Sequence, residues 1–397
     1  MRSYRIILAG GGTGGHIFPL VAVARELKKK ADEKGLNLKL LAVAEDNIWR
    51  NEFEKEGINF KRIFALKLRK VEGGRINFLA FFVLPFTLIQ SLWLLFLFMP
   101  DLVFSKGGFA SVFPSLAAWS YFIPVFIHES DSIPGKANIL LSKFSRKVFI
   151  SFENAAGYFP APKTILSGNP VRKEIFGGDR SQALNRFGFG PDKKTILFLA
   201  GSQGAAFINN LVIDSLVQLV KEFHPVRGRE GPQRASASNG VQIIHQAGIN
   251  NFEQMKKELE QLKREGESSY AADIEKNYRL FGFLSEEELK DAFAASDLIV
   301  SRSGSNIFEI AALGKPAIVI PYPYSAGEHQ RQNAIEFAKF GAVVLEEQNL
   351  KTHILIDQIK NLLKPENYSA VSQQIKSFAR VEGGGIIAAE IFEYLNI

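Results

Sequence analysis

The sequence contains no cysteine. That excludes a disulfide framework, a thiolate nucleophile and any metal site built on sulfur, and it matches what a reducing compartment leads one to expect. No Gly-Lys-Ser/Thr ends a glycine loop, so the Walker phosphate loop is absent. No Asp-X-Asp pair is present to hold a metal–diphosphate, Glu129-Ser130-Asp131 being the nearest approach. The N-terminus does not resemble a signal peptide: residues 4–9 are strand-like and run straight into glycines, so the fold is expected to begin with them.

What is present suits a globular protein of two domains. The chain has 397 residues, of which 46% are hydrophobic and 22% charged, which excludes disorder and exceeds the ~250–300 residues at which a single core stops growing. Two domains invite a cleft. Lys and Arg outnumber Asp and Glu by 48 to 41, a small excess that suits anionic partners such as phosphates or anionic lipid.

Short apolar, β-branched runs alternate with segments of helical period, the pattern of parallel βαβ units. In the first half the runs fall at residues 5–9, 39–43, 102–105, 125–128 and 147–151. The turn-rich Ser167-Gly168-Asn169-Pro170 suits a linker, after which runs resume at 195–200, 241–245, 279–283, 298–301, 317–321 and 342–346. Each half opens with a strand, a glycine loop and a helix. The expected class is α/β: two doubly wound, Rossmann-like domains facing each other across a cleft, with ligands at the carboxyl ends of the strands. The domains are expected at 1–167 and 168–379, with a terminal helix in 380–397 crossing back onto the first. Residues 225–240, rich in Arg, Gly, Ser and Pro, read as an exposed insertion.

A glycine loop between strand and helix lets backbone N–H groups approach a diphosphate, or it is simply a tight turn. Neither Gly10-Gly11-Gly12-Thr13-Gly14-Gly15-His16 nor Gly201-Ser202-Gln203-Gly204 decides between the two by itself. For a dinucleotide ribose the candidate acids are Glu45 and Asp46, and neither clearly ends a second strand. The second half carries a denser constellation: Ser301-Arg302-Ser303-Gly304-Ser305-Asn306-Ile307-Phe308-Glu309, Pro321-Tyr322-Pro323, and Gly327-Glu328-His329-Gln330-Arg331-Gln332-Asn333-Ala334. Glu309 falls in the first helical turns after Ser-Gly-Ser, where its carboxylate either accepts both hydroxyls of a ribose or serves only the helix dipole. Gln330 and Asn333, three apart, share one helical face and either aim their amides at sugar hydroxyls or form a solvated polar face.

Taken together, Ala9 to His16, Gly107-Gly108-Phe109, His128-Glu129, Gly168-Asn169-Pro170-Val171-Arg172, Gly201-Ser202-Gln203-Gly204-Ala205, Gly304 to Glu309 and His329-Gln330 with Asn333-Ala334 resemble the MurG family of glycosyltransferase family 28, in the family's order. The resemblance implies a GT-B fold and a hexosyltransferase that moves N-acetylglucosamine from UDP-N-acetylglucosamine to the muramyl C4 hydroxyl of the undecaprenyl-linked lipid I, forming lipid II for the cell wall. It implies Glu309 on the ribose, Arg172 and Leu284 near the uracil, and Ser202 with Gly304 and Ser305 near the donor phosphates. Gln330 and Asn333 fall on the N-acetylglucosamine, and Thr13, Gly14, Gly15 and His16 where acceptor and donor meet. Asp131 stands where the family commonly has Asn, Phe109 where Tyr is common, and the loop after Gly304 is one residue short.

His16 is the candidate general base, since an imidazole titrates near neutrality, with Glu129 as a rival. With no cysteine for a covalent intermediate and no carboxylate pair for double displacement, a single inverting displacement is expected, without a cofactor or obligatory metal. Expected partners are the donor, lipid I, an anionic membrane surface and other proteins of cell-wall synthesis, with no nucleic acid. The alternatives are a transferase of the same fold acting on another lipid, a nucleotide-sugar epimerase, or a sugar-nucleotide sensor.

Residues 76–99 carry no charge and are long enough to span a bilayer at about 1.5 Å per residue. They contain Pro85 and lie between two parts of what should be one sheet, so a span is disfavoured. The stretch is then either core or, with Lys61, Arg62, Lys67, Arg69, Lys70 and Arg75 upstream, a patch that dips into the cytoplasmic face of a membrane.

Overall fold

The computed structural model describes residues 3–64, 78–201, 204–223, 241–265 and 268–397. Ser202, Lys67, Arg69, Lys70, Arg75, the first residues of the uncharged stretch and the insertion at 225–240 lie outside the described residues. The chain divides into two compact units, Met1–Arg172 with Arg380–Ile397, and Lys173–Ala379.

The first unit runs β1 (Ser3–Ala9), α1 (Gly14–Glu33), β2 (Asn37–Ala44), α2 (Arg50–Glu54), β3 (Asn59–Arg62), α3 (Phe78–Phe98), β4 (Leu102–Ser105), α4 (Phe109–Ser120), β5 (Val125–Glu129), α5 (Lys136–Ser142), β6 (Lys147–Ile150) and β7 (Thr164–Leu166). Its sheet is parallel, in the order β3-β2-β1-β4-β5-β6-β7. The central strands are apolar throughout because helices cover both faces: Ile6, Ile7, Leu8, Phe104, Phe126 and Phe149 are all fully buried. Strand order reverses between β1 and β4, which places a crevice beyond their carboxyl ends.

The second unit runs α6 (Arg180–Phe187), β8 (Lys194–Leu199), α7 (Ala206–Phe223), β9 (Val241–Gln246), α8 (Phe252–Glu265), α9 (Ser268–Asn277), β10 (Tyr278–Phe281), α10 (Glu286–Ala295), β11 (Leu298–Ser301), α11 (Asn306–Ala312), β12 (Ala317–Val319), α12 (His329–Ala338), β13 (Val343–Val344), α13 (Thr352–Leu363) and α14 (Pro365–Phe378). Its parallel sheet has the order β10-β9-β8-β11-β12-β13, so the reversal recurs between β8 and β11. Ile196, Phe198, Ile243, Val300 and Ile318 form the centre of its core with Ile208 and Leu216 of α7. The last helix, α15 (Gly383–Tyr394), belongs to the first unit. It packs on α1, where a Cβ on Gly384 would come 3.3 Å from Glu26 Cγ, and Tyr394 meets Phe126 edge to face at 5.2 Å.

The strand register removes the spanning alternative for residues 76–99. Helix α3 joins β3 to β4, yet Ile6 of β1 pairs with Leu102 of β4 in the same sheet. Among the described residues no helix is long and apolar enough to cross a membrane. The core alternative also fails, because α3 turns its polar side inward. Thr87 and Ser91 are buried, and Gln90 holds the end of β3 by accepting from Phe64 N (3.1 Å) and donating to Arg62 O (3.0 Å). Phe86, Ile89, Trp93, Phe96 and Leu97 face outward, each 55–63% exposed.

Candidate functional site

In the first unit the crevice is floored by glycine. Gly107 and Gly108 have φ of 84° and 85°, a left-handed conformation costly for any other residue, and they bring the loop after β4 against the loop after β1. A Cβ on Gly108 would stand 2.8 Å from Gly11 Cα, and one on Gly11 would stand 3.2 Å from His16 Nδ1. Thr13, the residue before α1, turns its hydroxyl to His16 Nδ1 at 2.8 Å rather than to the helix N–H groups. When Nδ1 carries the proton and Thr13 accepts it, Nε2 keeps its lone pair, the state a base needs. Gly14 and Gly15 form the first turn of α1 immediately before it.

Glu45 serves the same loop structurally, and Asp46 caps the turn at residues 47–49. Glu45 Oε1 accepts from Gly12 N at 3.2 Å, and Trp49 Nε1 donates to Gly12 O at 3.0 Å, while Asp46 accepts from Ile48 N at 3.1 Å. A carboxylate already on the Gly12 N–H makes this loop a poorer phosphate cradle than its glycine count suggests. Arg172, the last residue of this unit's first segment, is 4% exposed and lays its guanidinium 4.0 Å above the ring of Phe18 on α1.

Beneath the crevice lies a buried polar cluster that the motifs did not reveal. Lys106, directly after β4, donates to His128 Nδ1 (2.7 Å), Asn169 Oδ1 (3.1 Å) and Ser130 Oγ. His128 Nε2 faces Gly168 O at 3.0 Å; a carbonyl can only accept, so the ring proton is on Nε2 and Nδ1 is an acceptor. Glu129 accepts from Asp131 N (2.9 Å), Gly135 N (3.0 Å) and Asn138 Nδ2 (2.9 Å). Burial pulls the Lys106 amine down, opposed by the charges of Glu129 and Asp131, and pushes the Glu129 carboxyl up, helped by Asp131. Burial and the neighbouring Lys106 together keep His128 neutral. Glu129, 4% exposed and occupied by three donors, is a loop organiser rather than an accessible base. Asp131 is half-buried at the rim, its backbone fixed by Glu129.

In the second unit the described donor candidates follow β10, β11 and β12: Leu284, Gly304 and Ser305 in the connecting loops, Glu309 on α11, and Gln330 and Asn333 on α12. Gly204 has φ of 92° and lies where a Cβ would come 2.6 Å from Ala247 O. That carbonyl is held by Asn209 Nδ2 at 2.9 Å, and Asn209 is held by His245, a ring that burial drives down to about 3 and that also meets Tyr278 OH at 2.7 Å. Leu284 is buried just ahead of the Ser285–Glu288 capping box that starts α10, and its N–H donates to Gln246 Oε1 at 3.0 Å. Ser305 stands before α11, and a Cβ on Gly304 would meet open space, so the backbone there is accessible. Glu309 lies in the first turn of α11, 7% exposed.

Gln330 and Asn333 do share a face of α12, and each braces a strand-end loop. Asn333, 1% exposed, donates from Nδ2 to Ser303 O at 3.0 Å, and Gln330 Oε1 accepts from Tyr322 N at 3.0 Å. Sequence reasoning passed over Arg302, whose guanidinium donates to Ile320 O (3.0 Å), pairs with Glu347 and lies 5.4 Å from the ring of Tyr322. Among the described residues no group of three or more acids and histidines is placed to hold a metal ion.

Comparison with known proteins accounts for both units. The glycosyltransferase family 28 N-terminal domain matches residues 6–150 and the family 28 C-terminal domain matches residues 195–382. The chain is 34% identical to a protein of Geobacter sulfurreducens named UDP-N-acetylglucosamine--N-acetylmuramyl-(pentapeptide) pyrophosphoryl-undecaprenol N-acetylglucosamine transferase, over 98% of each chain. It is also 34% identical to the protein of that name from Flavobacterium psychrophilum, over 100% of this chain and 99% of the other. Among solved structures it superposes on MurG of Acinetobacter baumannii with a TM-score of 0.68 at 22% identity, covering 98% and 99% of the two chains. It superposes on a UDP-GlcNAc 2-epimerase of Neisseria meningitidis with a TM-score of 0.66 at 18% identity, covering 98% and 100%. At such identities the superpositions speak for the fold alone.

Proposed function

Because the chain belongs to glycosyltransferase family 28, built on the GT-B fold, we propose that it transfers N-acetylglucosamine from UDP-N-acetylglucosamine to the muramyl C4 hydroxyl of lipid I, making lipid II and UDP. The observation that carries this reading is identity of about a third along essentially the whole length of relatives bearing that name, through both units rather than one. The epimerase alternative shares the fold but has only 18% identity, so nothing specific favours it.

The reaction needs a base for the acceptor hydroxyl and a holder for the departing diphosphate. His16 takes the hydroxyl proton on Nε2, the oxygen bonds to the anomeric carbon as the C–O bond to UDP breaks, and the α-linked donor yields a β-linked product. In the second unit Glu309 binds the ribose hydroxyls and Leu284 lies beside the uracil. The Gly304–Ser305 backbone at the start of α11 and the loop of Ser202 take the negative charge of the leaving diphosphate, without a metal. The Gln330 amide nitrogen, its oxygen already held by Tyr322, donates to the sugar. Incubation of the protein with radiolabelled UDP-N-acetylglucosamine and a lipid extract containing lipid I separates the readings. A labelled lipid supports transfer, a new free sugar would indicate epimerisation, and neither product would leave a sensor.

The outward apolar stripe of α3 supports a peripheral position at the membrane surface, on the cytoplasmic side where the acceptor's headgroup lies. A contiguous exposed apolar face of this kind marks an interaction site. Trp119 and Phe122 are exposed at the end of α4, which packs on α3, and Lys61, Lys143 and Arg146 are exposed cations of the same unit. The protein is expected to pellet with anionic vesicles at low salt and to be partly released by high salt, because exposed charge is screened. Trp93→Glu should remove most of this binding without loss of UDP affinity. Equal pelleting of the variant would take α3 out of the interface.

A further inference from the structure

Lys106 invites a function because a buried ammonium is expensive where an apolar residue of equal length would fill the space at less cost. The amine has three protons and three acceptors: His128 in β5, Ser130 just after it, and Asn169 beyond β7. The residue is 1% exposed, and the three groups it holds, His128, Ser130 and Asn169, are themselves buried. Its neighbours in sequence are Gly107 and Gly108, the turn against which Gly11 and His16 are packed. Ser130 precedes Asp131, and Asn169 precedes the point at Arg172–Lys173 where the chain leaves the first unit. The charged groups around it are Glu129 and Asp131, with neutral His128 between the amine and Gly168.

We propose that Lys106 is a positioning residue for sugar transfer, setting the spacing between the Gly107–Gly108 turn that supports His16 and the Ser130–Asp131 turn, and fixing both to the segment at Asn169. One ammonium bonded to two chain segments besides its own holds the three at a single separation, which a methionine of the same length does not. A base misplaced by an ångström loses about 10²-fold in rate, while binding by the other unit is untouched. The inference rests on the transferase reading above.

The test compares Lys106→Met with Asn169→Leu, Asn169→Asp and a core control, Ile391→Ala in α15. Lys106→Met and Asn169→Leu should each lower kcat by about 10–100-fold, with KM for UDP-N-acetylglucosamine and the Kd of UDP within twofold of wild type. The double variant should be no slower than the slower single, since both act through one bond. Asn169→Asp keeps the acceptor and should keep kcat within a few fold, and Ile391→Ala should lower Tm at unchanged kcat. The inference is overturned if Lys106→Met turns over like the wild type, if the single losses add in full, or if Ile391→Ala at equal loss of Tm loses as much rate. Should Lys106→Met fail to fold, the contrast between Asn169→Leu and Asn169→Asp decides alone, and equal rates for the two overturn it. A wild type that transfers no sugar to lipid I would remove the transferase reading and this inference with it.

Discussion

Replacing His16 with alanine should lower kcat by about 10²–10⁴-fold and leave the Kd of UDP unchanged. An acceptor hydroxyl is a poor nucleophile near neutral pH, and the first turn of α1 carries a half-exposed imidazole whose Nδ1 is already engaged by Thr13 at 2.8 Å. That contact holds the ring by Nδ1, and in the proposed mechanism Nε2 takes the proton. Thr13→Val should then cost a smaller part of the same rate, because the ring remains but loses its tautomer partner. Steady-state kinetics with calorimetry for UDP separates the two halves of the claim. Wild-type turnover in His16→Ala would reduce the residue to a loop brace, and a parallel loss of UDP affinity would show that the variant had damaged more than the base.

Glu309→Ala should weaken UDP binding by about 1.5–3 kcal/mol, roughly 10- to 150-fold in Kd, the worth of hydrogen bonds to a charged group. Its position permits a rival account in which the carboxylate only complements the dipole of α11, for about 0.3–1 kcal/mol of stability. The two accounts differ in what moves. A ribose contact appears in the Kd of UDP and of uridine alike, whereas a dipole contact appears in Tm with nucleotide affinity intact. Calorimetry with both ligands, beside thermal unfolding of the free protein, distinguishes them, and an unchanged Kd would take Glu309 out of the donor site.

The fold was legible because buried parallel strands leave an unmistakable trace. The run at 102–105 is β4 and the run at 298–301 is β11, residue for residue, each apolar through both faces. Strands β3 and β7 escaped notice for the complementary reason. Asn59–Arg62 buries only Phe60, and Thr164–Leu166 is three half-buried residues at the sheet edge, so neither shows an apolar run. Helix α3 misleads in another way, since its composition announces burial while its geometry hides Thr87 and Ser91 and exposes Trp93. At the site, what sequence could offer was a set of motifs at the carboxyl ends of strands, and the structure places Thr13, His16, Asp131, Leu284, Ser305, Glu309, Gln330 and Asn333 at such ends. What it could not offer was the joining of Lys106, His128, Asn138 and Asn169, because polar residues scattered over some sixty positions become one cluster only when the four strands β4 to β7 are laid side by side.

The return of α15 to the first unit has a consequence for biosynthesis. Residues Lys173–Ala379 form one uninterrupted segment, so the second unit can close as soon as it has left the ribosome. The unit that opens with β1 cannot, because Ile387, Ile391 and Phe392, buried in it, follow the whole of the other unit in the chain. Until then the ground beneath α1 is uncovered, and the half of the enzyme that carries His16 matures second although it is made first. A bulky fusion at the carboxyl terminus would therefore tax the half made earliest and spare its neighbour.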